Sequence, residues 1–401
     1  MSTTTSPLPP RSLASRVLRP VVGVLILLHG VIHLLGTAAA FGDPGRAPLA
    51  EPVGPAMGVL WFLAAGLVVV AGAGLLVGRR RWWLVGAPAV VLSQVVVLTD
   101  WDQARAGTIM NALLLVAVVH GWRAEGSTSM RERYRRGVAR TLAERPPEEA
   151  AHPVVTEDDL VDLPPLVAGY LRRTGSVGRP RVTWFRARLH GRIRASAQSP
   201  WMTFTGEQVN TSSPEVSRRF WLDASRAGLP IDVLHVLEHG AATMRAAVCS
   251  VVPVARGAGP EMDRSETVTL FNDLCFLAPA ALLDAPVTWQ AIDDHRVLGT
   301  YVHGSHSVRA ELVFDDDGDL VGFTSDDRLR AGPAGSYQQQ HWSTPFAGYR
   351  TLHGRRVAAT GSAWWHAPEG AFAYIEMTID DLVTGPAAPL PVRDQRTGIS
   401  M

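Results

Sequence analysis

Four long apolar runs fill the start of the chain, at residues 20–41, 57–78, 82–99 and 106–122. Each is close to the roughly 20 residues that a helix needs to cross a hydrocarbon layer about 30 Å thick. The first runs too long for a signal peptide alone, and three more follow it. Beyond residue 150 the period changes. From Trp184 to Arg194, Phe185, Ala187, Leu189 and Ile193 alternate with Arg186, Arg188, His190, Arg192 and Arg194, which is the period of a strand with one buried face. Similar runs cover 202–209, 216–224, 231–237, 242–251, 287–292, 297–303, 307–314, 320–325, 338–343, 356–365 and 372–379. A helical stretch at 262–283 interrupts them, opened by Gly259-Pro260 and by Asp263 and Glu266 as capping groups.

These periods predict an α+β membrane protein. Residues 1–125 form a bundle of four transmembrane helices, and 126–155 a basic juxtamembrane helix and linker. A β-rich domain spans 156–383 and opens with a helix over 157–174, and a Pro- and Gly-rich disordered tail occupies 384–401. An antiparallel sheet of that many strands curls into a half-barrel rather than lying flat. Its apolar face needs a cover, and the helical pair within 262–283 is the segment available for it. An incomplete cover leaves an apolar cleft.

Charge gives the orientation. Arg11, Arg16 and Arg19 precede the first span, Arg79, Arg80 and Arg81 join the second to the third, and six arginines between Arg123 and Arg140 follow the fourth. The two remaining loops are net acidic, with Asp43 and Glu51 against Arg46, and Asp100 and Asp102 against Arg105. Positive loops stay inside, so both termini and the β-rich domain are expected on the cytoplasmic side of the bacterial inner membrane. Trp82, Trp83, Trp101 and Trp122 fall at the expected interfaces. The formal net charge of +1 hides a basic first part, +6 over residues 1–150, and an acidic remainder of −5, a balance that argues against a nucleic-acid partner. The two cysteines, Cys249 and Cys275, have neither zinc nor redox spacing and are expected as free thiols in a reducing compartment.

Polar residues inside spans are costly and therefore mark candidate sites. His29, His33, Gln94 and Asn111 are such residues, and His33, Gln94 and Asn111 fall at one depth. His29 and His33 share a helix face at a spacing that suits a structural knot, a proton site, or a metal or haem. Arg131, Arg133, Arg135 and Arg136 on the basic helix are candidates for contact with lipid headgroups, with a plain solvated linker as the alternative. In the β-rich part, Glu266 and Asp273 stand two helical turns apart, as an acid–base pair requires, and a cap and a solvated helix face explain them equally well. His235 with His239, His303 with His306, and the acidic run Asp315–Asp319 read better as structural or turn residues than as metal sites. The chain carries no G-x-S-x-G elbow, H-E-x-x-H pair or phosphate loop, so no catalytic group, cofactor or metal is assigned.

Several stretches together carry a resemblance: LPPLVAGYLRRTG at 163–175, PWMTFTGEQ at 200–208, FWLDA at 220–224, VTWQAIDD at 287–294 and LVFDDDGDLVGF at 312–323. With LLHGVIHLLG in the first span and LSQVVVLTDWDQARAGTIMN at 92–111, they resemble an uncharacterised bacterial family, a domain of unknown function often joined to a four-helix module. The resemblance implies the architecture and supplies no activity. The expected function is binding of a lipid or other apolar ligand beside the bilayer. The alternative is a membrane-bound enzyme whose site the sequence does not mark.

Overall fold

The computed structural model describes residues 13–42, 53–143, 153–332 and 336–386. Helices α1 (Leu13–Ile32), α2 (Leu34–Phe41), α3 (Pro55–Val77), α4 (Trp83–Thr99), the short α5 (Trp101–Ala104) and α6 (Gly107–Glu125) form the first part. The first apolar run is therefore two helices, starting before residue 20 and broken at His33. There the His33 ring bonds the His29 carbonyl at 2.9 Å while the backbone bond to the same oxygen stretches to 3.4 Å. A side chain competing for a helical carbonyl opens the ladder. Glycines let α1 and α3 approach closely. A Cβ added at Gly30 would meet the Val69 nitrogen at 3.0 Å.

The bundle holds a small polar cluster within a mainly apolar interior, and its outer surface is apolar as well. It buries His29, His33, Ser93 and Asn111, while Val31, Phe62, Val70, Val91, Ile109 and Val116 are exposed. Leu18–Phe41, Pro55–Val77 and the helical stretch from Gly107 are long and apolar enough to cross a membrane, and Trp83–Thr99 is a shorter apolar helix.

Helix α7 (Met130–Ala143) follows, then a 3₁₀ turn at Asp158–Leu160 and α8 (Pro165–Arg173). The helix expected over 157–174 is split because Pro164 and Pro165 can only start a helix, not continue one. The strands are β1 (Trp184–Ile193), β2 (Met202–Thr211), β3 (Ser217–Arg226), β4 (Leu229–Glu238), β5 (Ala241–Val248) and β6 (Val252–Ala258), then β7 (Val287–Ala291), β8 (Arg296–His303), β9 (His306–Phe314) and β10 (Leu320–Ser325). After these come β11 (Leu329–Ala331), β12 (Tyr337–Gln339), β13 (Trp342–Ala347), β14 (Arg350–Leu352), β15 (Arg355–Val357), β16 (Thr360–Ala367) and β17 (Gly370–Gly385). Thirteen of them make one antiparallel sheet in the order β6-β5-β4-β3-β2-β1-β17-β16-β13-β10-β9-β8-β7. β11 with β12 and β14 with β15 are small hairpins of their own.

Between β6 and β7 lie α9 (Pro260–Leu277) and a 3₁₀ turn at Pro279–Leu283, so the expected helical pair is one long helix and one turn. The strand expected over 242–251 stops at Val248, because Cys249 and Ser250 turn the chain with φ of +51° and +57°. Thr384 and Gly385, placed in the tail by sequence, belong to β17; residues 387–401 lie outside the described residues.

α7 is more than a linker. Tyr134, Val138 and Leu142 pack on Trp184, Val209, Trp221 and Leu234 of the outer sheet face. The main core lies on the inner face, between the sheet, α8 and α9.

Candidate functional site

Helix α9 crosses the concave face and is buried nearly all round, from Met262 and Ser265 to Leu277. A helix so enclosed has to pair every polar group it carries. Its apolar side fills the sheet: Phe271 stacks on Tyr301 at 5.3 Å and meets Phe323 edge-on at 5.4 Å, and Phe276 stacks on Phe346 at 4.7 Å. Thr267 and Thr269 donate back to carbonyls one turn earlier, and Thr344 of β13 donates to Asn272 at 2.6 Å.

Glu266 and Asp273 meet the opposite wall, where strand alternation turns Arg218 inward. Arg218 donates to Glu266 at 2.8 Å and to Asp273 at 2.7 Å. Gln208 and Asn210 of β2 donate to the same Asp273 oxygen at 2.6 and 3.1 Å, and the His235 ring of β4 lies 3.2 Å from Glu266. Burial alone would raise the Glu266 pKa, but Arg218 and His235 outweigh it and hold the carboxyl well below its ordinary value. The two carboxylates are thus separated by a guanidinium instead of sharing a proton. His235, the most exposed member, gives the network its one outlet among these groups, at 21% exposure.

The expected cleft under the helix is filled by these aromatic and charged side chains. Beside Leu277–Ala280 an enclosed space of about 10 Å³ remains, room for a single water. A larger concavity lies elsewhere. Across β10, β13 and β16 an open groove of about 270 Å³ is lined by Gly322, Thr324, Ser343, Pro345 and Trp364, with Phe323 and Thr344 beneath. Gly322 makes its floor, since a Cβ there would meet only Val313, at 3.5 Å.

At the same end of the strands, arginines lie over aromatic rings. Arg192 and Arg194 flank Trp201 at 4.5 and 4.4 Å, and Arg194 and Arg330 stand 5.8 and 4.9 Å from Phe372. Arg328 covers Trp342 at 4.5 Å and Trp365 at 5.6 Å. This end also meets the helices. His120 of α6 donates from Nδ1 to the Cys249 carbonyl at 2.8 Å, and Arg123 donates to the Ser250 carbonyl at 3.3 Å.

In the bundle the centre of the polar cluster is Ser93, which sequence reading left out. Its hydroxyl lies 2.8 Å from His33 Nε2, 3.3 Å from His29 Nε2 and 2.6 Å from Asn111 Oδ1. His29 Nε2 is 3.0 Å from Asn111 Oδ1; Asn111 donates to Gln94 at 2.9 Å, and Gln94 donates to Thr108 at 3.1 Å. His33 meets Ser93, while Gln94 reaches the histidines only through Asn111.

The four basic-helix arginines separate. Arg131 covers Trp221 at 5.3 Å, and Arg136 pairs with Glu132 at 3.7 Å and donates to the Ser127 carbonyl. Arg135 is half-buried, and Arg133 points to solvent beside Arg123, Arg136 and Arg245. His235 and His239 do not converge, because His239 sits in a turn at φ +53°. His303 and His306 pair across the β8–β9 turn. In the acidic run Asp315 caps the turn, and Asp319 is clamped by Arg173 at 2.7 Å and by Arg356 at 3.0 Å. Among the described residues, no three His, Cys, Asp or Glu side chains are grouped to hold a metal.

No curated protein matches the chain. Among solved structures, a putative outer membrane lipoprotein-sorting protein domain from Vibrio parahaemolyticus is 10% identical, over 54% of this chain and 87% of that one, with a TM-score of 0.32. A DUF1329 family protein from Desulfovibrio piger is 12% identical, over 59% and 95%, with a TM-score of 0.33. A LolA superfamily protein from Nitrosomonas europaea is 10% identical, over 56% and 94%, with a TM-score of 0.32. At these scores the likenesses say nothing of what this chain does. The model of a family of unknown function, DUF6544, matches residues 153–377, more than half of the chain, and the protein belongs to that family.

Proposed function

We propose that the protein is a membrane-anchored binding protein for a lipid or other apolar molecule. In this reading α1 with α2, α3, α4 and α6 cross the inner membrane, and the curved sheet stands on its cytoplasmic side. The bundle's apolar exterior supports the crossing, since a soluble bundle presents mostly polar side chains to its surroundings. The arginine-rich loops support the orientation.

One observation carries the ligand assignment. The apolar groove over Gly322 opens at the end of the sheet that bears the arginine–aromatic stacks, and that same end is bonded to α6. An amphiphile leaving the bilayer meets cations for its head and the groove for its apolar part. The groove's size is close to the lower end of small-molecule sites, about 300 Å³. Native mass spectrometry of the detergent-purified protein tests this: a retained small molecule is expected, and Gly322→Leu, which fills the groove, is expected to lose it without loss of fold. Identical ligand content in both proteins overturns the assignment.

The enzymatic alternative rests on the chain His235–Glu266–Arg218–Asp273. Glu266, Arg218 and Asp273 are buried and paired with one another, so the reading depends on His235 alone to reach a substrate.

A further inference from the structure

The turn between β5 and β6 is an unusual one. Cys249 and Ser250 both take positive φ, where L-residues other than Asn, Asp and Gly are disfavoured. What holds it is contact: Cys249 N donates to the Pro230 carbonyl at 2.7 Å, Ser250 donates to Asp232, and the free carbonyls of both residues receive His120 and Arg123 of α6. The turn is thereby fixed at the level of His120, two residues before the interfacial Trp122.

Around that point the surface is apolar and cationic. Leu229, Val252 and Val254 are 49–56% exposed on neighbouring segments. β6 is an edge strand, yet Pro253 and the unpaired bulge residue Val254 make it a poor template for another strand. Beside it Arg245 and Arg256 stand directly opposite each other in the ladder, a like-charge pairing that costs stability in water. Arg133 and Arg123 join them, and burial together with Arg245, Arg123 and Arg136 draws the Arg133 pKa below its ordinary value. Among the described residues none of Arg133, Arg245 and Arg256 forms an ion pair. Exposed valines beside unneutralised guanidiniums, at the end of a membrane helix, match an interface of apolar chains under phosphates.

We infer that the β5–β6 edge is a membrane-seating element: Leu229, Val252 and Val254 enter the bilayer interface while Arg123, Arg133, Arg245 and Arg256 hold anionic headgroups. The inference rests on the membrane-crossing reading above and fixes which edge of the sheet faces the lipid.

The test uses the full-length protein in nanodiscs of phosphatidylcholine, with or without phosphatidylglycerol. In a Cys249→Ser background the other thiol, Cys275, is fully buried. A bimane label is placed through Val252→Cys or Val254→Cys, with Val70→Cys on α3 and Val161→Cys near α8 as references. A nitroxide carried by the lipid is expected to quench the labels at 252, 254 and 70 and to spare 161. Arg133→Gln with Arg245→Gln is expected to weaken quenching at 252 at least twofold in phosphatidylglycerol discs only. Quenching at 70 without quenching at 252 and 254 overturns the seating element and leaves the spans standing. No quenching at 70 overturns the membrane reading itself. An unchanged response in the arginine variant overturns the headgroup assignment.

Discussion

Asp273 accepts a hydrogen bond from Arg218 at 2.7 Å where the two side chains are only 6% and 5% exposed. Together with Glu266 they form a buried triad in which one cation serves two anions. Removing the cation leaves two carboxylates without compensation in a medium that solvates them poorly. Arg218→Met is therefore expected to cost about 3–5 kcal/mol, and replacing all three groups by apolar residues of similar volume to cost less. Thermal unfolding of the full-length protein in detergent checks both, and a single-variant cost below about 1 kcal/mol contradicts the triad.

Acid should act at the same place. Glu266 and Asp319 both have folded-state pKa values below their ordinary 4.5 and 3.8, in spite of burial, through Arg218 and through Arg356 with Arg173. A depressed carboxylate contributes stability above its unfolded pKa and loses that contribution as pH falls toward the folded value. The unfolding midpoint is expected to hold down to about pH 5 and to drop below it. In Glu266→Gln that drop should be shallower, even though the variant is less stable at neutral pH.

For the bundle, the order of effects is the prediction. Ser93→Ala removes a partner of His29, His33 and Asn111 at once, each bond being worth about 0.6–2 kcal/mol in this setting. Gln94→Leu touches only Asn111 and Thr108. Trp61, whose ring lies 5.2 Å from His33, reports the change by fluorescence. A larger loss from Gln94→Leu than from Ser93→Ala would refute Ser93 as the centre.

Helix α7 hangs on Tyr134, which is buried against Trp221 and donates to Glu207 at 2.9 Å. Burial and Glu207 push its phenol pKa well above the ordinary 10, so the hydroxyl stays protonated and donating. Tyr134→Ala is expected to cost about 3–5 kcal/mol and Tyr134→Phe about 1. Limited trypsin digestion reads the release directly: cleavage at Arg131 and Arg133 should rise in the alanine variant and stay slow in the phenylalanine one.

Period carried most of what was legible. Phe185, Ala187 and Leu189 are fully buried on β1, as their alternation required, and the apolar runs mark helices. The lost boundaries have local causes: a histidine ring taking a carbonyl at residue 33, two prolines at 164–165, and a turn of positive φ at 249–250. The site was harder, because its partners are remote in sequence. Arg218 and Arg219 are neighbours in a strand and so face opposite ways, and this strand is covered on both sides. One arginine had to enter the core beneath α9 and the other the seam under α7. Two adjacent charges directly before the apolar run FWLDA were the available signal. Ser93 escaped because a hydroxyl inside a helix ordinarily bonds its own turn.

β17 lies in the middle of the sheet, between β1 and β16, although it is the last strand made. Each flank is a succession of neighbours: β1 to β6 on one side, β7 through β16 on the other. Each flank can form from local contacts as it leaves the ribosome, and such contacts form quickly. Among the described residues the two flanks have no strand pairing with each other except through residues 370–385. A chain stopped before Gly370 would hold two separate meanders with open inner edges, tethered to whatever the helices had already entered. Completion of the domain is thus a single late zippering event, and an arrested chain is a natural substrate for quality-control proteolysis.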